Sequence, residues 1–236
     1  MPISSPTTFT LNSVTLAFET FAGLMQLAID AEDPRLGGKL LYLSGLDQGQ
    51  RAFAIAANIA GAATLAASDN TFALREAQRE GAIDFLVNSL DEALRILKNE
   101  IRKHEPVAVA VSLAPAVVER EMLERGVLPD LLPYQSSPSQ EISAFLLQGT
   151  QLVQPAVSRP ARRLLIWSAP AEFAQNMNAF DALLAEHLDL ADHLNRRWLR
   201  LAPRYLAPAA RRLRSLACDA ATAAKLIARL GAPLND

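Results

Sequence analysis

Three polar clusters beside apolar runs carry the residue types that could hold a ligand. Gly45-Leu46-Asp47-Gln48-Gly49-Gln50 offers glycines that let the backbone approach a bound group, with Arg51 behind it as a cation for an anion. Its spacing is not the G-x-G-x-x-G fingerprint of dinucleotide sites. Asp69-Asn70 and Gln135-Ser136-Ser137 follow two further apolar runs; both stretches also suit plain polar turns, and a lone Arg51 also suits plain solvation. His104, His187 and His193 are the only histidines, and no two stand at i, i+4, the spacing that puts two imidazoles on one helix face. Cys218 is the only cysteine, so no internal disulfide and no thiolate cluster can form, and no metal site is expected.

Of 236 residues, 50% are hydrophobic and 20% charged, enough apolar surface for one large domain or a domain with an extension. The formal net charge of −2 supplies no basic field, which argues against nucleic acid or an anionic membrane as partner. Met1 to Thr10 is polar and no long apolar run occurs, so a cytoplasmic protein with reduced thiol chemistry is expected. Arg196, Arg197, Arg200, Arg204, Arg211, Arg212 and Arg214 form a locally basic stretch that reads as a solvated helix face. Trp167, Trp198 and Tyr205 read as core or interface anchors, and Cys218 as a buried helix residue.

The elements that must position these residues follow from periodicity. Val14 to Asp30 repeats at helical spacing and stops before Asp33-Pro34. Lys39 to Ser44 is a short apolar run between glycines, suited to a buried strand, and Arg51 to Ala63 is a helix of small residues. Strands are expected again at Thr64 to Ala67, Ile83 to Val87, Val107 to Leu113 and, as the last, Leu128 to Leu132. Helices lie between them at Phe72 to Glu80, from the Ser89-Leu90-Asp91-Glu92 capping box to about His104, and from Pro115 to Arg125 before Gly126. This alternation predicts an α/β fold, a doubly wound parallel sheet with ligands beyond the carboxyl ends of its strands. The composition changes near Ser158, so residues 1–157 are expected as one domain and 158–236 as a mainly helical extension. The extension holds an apolar run, Leu164 to Trp167, then two helices, Asn178 to Leu201 and Pro203 to Leu230. These helices would cover the sheet or make a dimer interface.

Several segments, taken in order, resemble the urocanate hydratase family. Phe18-Glu19-Thr20-Phe21 is similar to its Tyr-Glu-Thr-Phe, Ser44-Gly45-Leu46 to the start of its glycine-rich turn, and Ala52 to Ala62 to its small-residue helix. Ser89 to Arg95 resembles its capped helix, and Glu121 to Asp130 its Glu-Leu-Val-Arg-Arg-Gly-Val-x-Pro-Asp, with Gln135-Ser136-Ser137 where the family has Gln-Thr-Ser. The resemblance spans roughly residues 14 to 146 and implies a Rossmann-like domain that binds NAD, which there acts as an electrophile on urocanate.

It also implies a set of NAD contacts: Gly45, Gly49, Gln50, Asp69, Gln135, Ser136, Ser137 and Phe145, the last from a Tyr-Leu pair matched by Phe145-Leu146. The family's Gly-Gly-Met-Gly-Gly is replaced by Asp47-Gln48-Gly49-Gln50-Arg51, and Ser68 stands at its ribose-binding glutamate, with Asp69 adjacent. Ala114-Pro115 replaces an Asn-Ala pair and Pro138-Ser139 an Ala-His pair, and the family's reactive-cysteine segment has no counterpart here. The expected function is therefore a stand-alone, degenerate relative of the NAD domain with no hydratase activity by itself, binding a small molecule or serving as a partner subunit. Two alternatives remain open on the residues: an NAD-dependent hydratase-type lyase, or a subunit of one, with a remodelled loop; and a structural homodimer built through the carboxyl-terminal helices.

Overall fold

The computed structural model describes residues 6–28, 34–134, 138–156 and 162–235, with side chains from Leu11 onward. The chain divides into two compact units, Thr20–Pro155 and a second made of Met1–Glu19 with Ala156–Asp236. Helix α1 (Pro6–Met25) begins in the second and ends in the first. It stops before the expected Asp30, because the amides of Gln26 and Leu27 take the carbonyls three residues back, at 3.2 and 2.9 Å, and tighten the last turn.

In the Thr20–Pro155 unit the chain runs through β1 (Leu40–Leu43), α2 (Gln48–Ala60), β2 (Ala63–Ala67), α3 (Thr71–Glu80), β3 (Phe85–Val87), α4 (Leu90–Lys103), β4 (Ala108–Val111), α5 (Pro115–Glu124), β5 (Leu131–Pro133), α6 (Gln140–Leu147) and β6 (Gln151–Val153). The strands form one sheet in the order β3-β4-β2-β1-β5-β6, every pair parallel. The expected alternation of strand and helix is thus present, but Leu128 to Leu132 is not its end. Strand β5 begins at Leu131, and α6 and β6 follow it. A three-residue strand such as β6 is too short to show a period of two; it exists because Gln151 N–H bonds Asp130 O at 2.9 Å and Tyr134 N–H bonds Val153 O at 2.8 Å.

Both faces of this sheet are covered. Leu40, Tyr42, Ala63, Leu65, Val109, Val111 and Leu132 point to one face and pack against Leu94 and Leu97 of α4, Met122 of α5 and Phe145 of α6. Alternate residues, such as Leu41, Leu43 and Ala66, point to the other, where α2 is buried from Ala52 to Ala60. The alanines of α2 let its backbone come close to the strands. At the opposite strand ends, Gly37 is required by a close approach: a Cβ there would lie 3.0 Å from His104 Cβ and 3.1 Å from His104 O. His104 itself closes α4 in the left-handed region, at φ 61°.

In the second unit the expected mainly helical extension also holds a two-stranded sheet. The apolar run near Trp167 is β7 (Arg163–Ser168), and it pairs antiparallel with β8 (Leu213–Cys218), which lies inside the stretch expected as one long helix. Helices α7 (Met177–Ala185), α8 (His193–Tyr205) and α9 (Ala220–Leu230) pack Phe180, Leu184, Leu199 and Leu226 against Leu165, Trp167, Leu216 and Cys218. Cys218 is therefore a buried strand residue rather than a helix residue, and burial pushes its thiol up to about 11. The ladder with β7 overrides the helical preference of an alanine-, leucine- and arginine-rich segment.

Side-chain amides close both outer edges of this small sheet. Asn195 donates to Ala217 O at 2.8 Å and accepts from Ala217 N at 2.9 Å; Asn235 accepts from Ile166 N and donates to Leu164 O, both at 2.8 Å. Each amide stands in for a neighbouring strand's peptide group.

Three arginines of the basic stretch are tied into the unit's own structure, while Arg200, Arg204 and Arg211 are exposed. Arg196 donates to Asp189 O and Leu188 O at 2.8 and 2.7 Å, beyond the end of α7. Arg214, only 5% exposed, is held by both Asp181 oxygens and by Arg211 O. Arg212 donates to Ala174 O at 3.0 Å.

Candidate functional site at the strand switch point

Beyond the carboxyl end of β1 the chain turns through α2 toward β2, and beyond β5 it turns through α6 toward β6 on the opposite side. Loops that diverge from adjacent strands leave a crevice between them, the position where ligands settle in doubly wound sheets. The turn 44–47 forms one wall. On the β5 side, Gln135, Ser136 and Ser137 lie outside the described residues.

Gly45, at φ +149°, permits the sharp exit from β1. Asp47 then caps α2: its carboxylate accepts from Gln50 N–H at 2.8 Å. A Cβ on Gly49 would lie 3.3 Å from that same carboxylate oxygen. Gln50 Oε1 is buried without a hydrogen-bond partner. Arg51 is 13% exposed at its side chain and committed, with Nε on Glu80 at 2.8 Å and a terminal nitrogen on Leu46 O at 2.9 Å.

After β2, Ser68 is buried and its hydroxyl accepts from Asn70 N–H at 3.2 Å; Asn70 in turn caps α3 through Phe72 and Ala73 N–H. Asp69 between them is exposed. Phe145 is fully buried in α6 with its ring edge-on to Tyr42 at 6.3 Å, so it lies in the core and not on a ligand wall. The structure therefore brings Gly45, Gly49 and Gln50 to one turn and leaves Asp69 on a separate loop.

A buried group that sequence reasoning missed links β1, α5 and the start of α6. Glu119 of α5, 3% exposed, accepts from Tyr42 Oη at 3.1 Å and from Ser139 Oγ at 3.0 Å. Ser139 also caps α6 by accepting from Ile142 N–H at 3.1 Å. Burial raises the Glu119 carboxyl above its ordinary range; the two hydroxyls oppose that shift and the charge of Glu141 adds to it. Burial likewise raises the Tyr42 hydroxyl, with Glu119 contributing. The only sequence signals were a tyrosine inside an apolar strand and a glutamate among the valines and methionine of α5.

Among the described residues no group of three or more His, Cys, Asp or Glu side chains is placed to hold a metal ion, and no helix is long and apolar enough to cross a membrane. A doubly wound parallel sheet with its crevice beside the first strand defines a Rossmann-like α/β protein. The Urocanase Rossmann-like domain matches residues 14–190 of this chain, a span that takes in the whole six-stranded sheet together with β7 and α7. The chain belongs to that family.

Proposed function

We propose that this chain is a degenerate member of the urocanase NAD-domain family that neither holds NAD through the turn after β1 nor hydrates urocanate by itself, and acts as a binding or partner module. The observation that carries the reading is the Asp47 carboxylate on Gln50 N–H. A pyrophosphate at the start of α2 would need that amide and would meet a negative charge already seated there. Two like charges about 4 Å apart repel by about 1 kcal/mol in water and about 4 kcal/mol near a protein surface, whereas a helix terminus attracts an anion by about 0.3–1 kcal/mol. Repulsion wins. Arg51 cannot offset it without leaving Glu80 and Leu46 O. The ribose contact lacks its acid as well, because a serine hydroxyl committed to Asn70 stands there. The residues of the turn do not fit the cofactor, so no catalytic step is derived through it.

The test is to denature the purified protein, analyse the supernatant for nucleotide, titrate the native protein with NAD by calorimetry, and follow urocanate absorbance. No nucleotide, no heat of binding and no turnover are expected. Stoichiometric NAD with loss of urocanate absorbance would overturn the proposal and favour the hydratase-type lyase with a remodelled loop. An Asp47→Gly variant that gains NAD binding would identify the carboxylate as the obstacle.

A further inference from the structure

Beyond the binding role proposed above, we infer that Ser139 is a nucleophile with Glu119 as its general base, and that this chain cleaves neutral carboxylic esters without NAD. Ser139 is exposed, and its hydroxyl donates to Glu119 Oε2 at 3.0 Å. Glu119 is 3% exposed, and its other oxygen accepts from Tyr42 Oη at 3.1 Å; Pro115 O is a second acceptor for that hydroxyl at 3.5 Å. A hydroxyl within hydrogen-bond reach of a base, with the base oriented in turn by a third group, is the arrangement that activates a serine. Tyr42 is next to last in β1, α5 follows β4, and Ser139 follows β5. The group therefore gathers toward the carboxyl ends of the strands, where doubly wound sheets place their chemistry.

The fold does not require an acid here. As the cap of α6, Ser139 uses its oxygen to accept from Ile142 N–H at 3.1 Å, a role that needs no carboxyl behind it. A neutral amide would serve Tyr42 equally well as acceptor. A carboxyl is kept nevertheless, where burial penalises its charge and Glu141 on α6, of like sign, adds to the penalty. Shifts of this kind are arranged where a proton has to move, and a raised pKa brings a carboxylate base nearer to neutral pH.

In the first half of the reaction Ser139 Oγ bonds to the ester's carbonyl carbon and its proton passes to Glu119 Oε2. The bond from that carbon to the alcohol oxygen then breaks, and the alcohol leaves with the proton from Glu119. Water repeats the sequence on the acyl-serine: its oxygen bonds to the acyl carbon, its proton passes to Glu119 and on to Ser139 Oγ, and the carboxylic acid leaves. The oxyanion of each step is served by the amides of Gln140 and Glu141, which open α6 and have no acceptor within the helix. An oxygen leaving group asks less of a carboxylic acid than an amide nitrogen does, which selects an ester. Glu119 and Glu141 repel an anionic acyl group, which selects a neutral one.

The experiment uses the full chain with p-nitrophenyl acetate. A burst of p-nitrophenolate is expected, together with an acetyl group located on Ser139 by mass spectrometry after acid quenching. Ser139→Asn keeps a capping acceptor for Ile142 N–H, so its circular dichroism should match wild type while both signals are lost. Glu119→Gln should slow acylation about 10²–10⁴-fold. The wild-type rate, corrected for spontaneous hydrolysis, should rise with pH as Glu119 ionises. Tyr42 is a positioning residue: Tyr42→Phe removes a hydroxyl that lowers the Glu119 pKa, so the acid limb of the pH profile should move to higher pH. No acetyl on Ser139, hydrolysis unchanged in Ser139→Asn or Glu119→Gln, or an acid limb that Tyr42→Phe leaves in place would each overturn the inference.

Discussion

The two units differ in how they treat polar groups away from water. In the unit built on β7 and β8, the buried polar side chains are matched: Arg214 with Asp181, Asn195 with Ala217 and Asp192, and Trp198 Nε1–H with Ser215 Oγ at 2.9 Å. In the Thr20–Pro155 unit, Thr20, Gln50, Asn58 and Thr64 keep buried side-chain atoms without a hydrogen-bond partner. A small two-stranded sheet has little ladder of its own and borrows side chains to complete it. A six-stranded parallel sheet is held by its own ladder and by apolar packing on both faces, so it tolerates isolated polar atoms whose removal does no harm.

Four substitutions would sharpen or break that contrast. The largest effect is expected from Asn195→Leu, which strips the partners from both backbone groups of Ala217; it should lower unfolding free energy by about 3 kcal/mol in chemical denaturation. A loss under about 1 kcal/mol would mean that water replaces the amide and that the small sheet does not depend on its borrowed edge. Next comes Gly37→Ala, where the added methyl meets the cap of α4. A loss of about 2 kcal/mol is expected, relieved in part by adding His104→Gly, which removes the His104 Cβ and a side chain in the left-handed region but leaves the His104 carbonyl in place.

Removing a partnerless hydroxyl should act in the opposite sense. Thr64→Val keeps the shape of the buried side chain and is expected to raise stability by about 1 kcal/mol. Destabilisation instead would show that Thr64 has a hydrogen-bonding role and that the contrast between the units is wrong.

The smallest effect concerns pH. Burial raises the folded-state pKa of Glu119 above its unfolded value, so its contribution is fully present below the unfolded pKa, ordinarily near 4.5, and is lost as pH rises through the folded value. Glu119→Gln keeps an acceptor for Tyr42 and carries no charge to desolvate. Its melting temperature should gain on wild type as pH rises from acid to neutral; a pH-independent difference would show that the carboxylate is not penalised where it sits.

Much of the first unit was legible in the sequence, because its signals are local. A capping side chain acts within one turn, as Ser89 does by accepting from Glu92 N–H at 3.3 Å. Fully buried strands such as β4 read as unbroken apolar runs. The Glu92 carboxylate bonds Asn88 N–H rather than Ser89 N–H, a departure of one residue that spacing alone does not reveal. The crevice was legible only as a set of strand ends. That Asp47 would turn onto Gln50 N–H, and that Arg51 would turn away to Glu80, depends on a partner 29 residues along the chain.

By itself, then, the sequence determined the parallel α/β fold, its family, and the changed chemistry of the glycine turn, since each is written in neighbouring residues. Tertiary structure decided the rest. It made Leu213–Cys218 a strand by setting it against Arg163–Ser168, about fifty residues earlier. It turned Arg214 inward onto Asp181, and it moved Phe145 from a supposed ligand wall into the core. It also joined Tyr42, Glu119 and Ser139 into one hydrogen-bonded group. A buried charge or a sheet edge is defined by what packs on it, and that information lies at the far end of contacts no local pattern encodes.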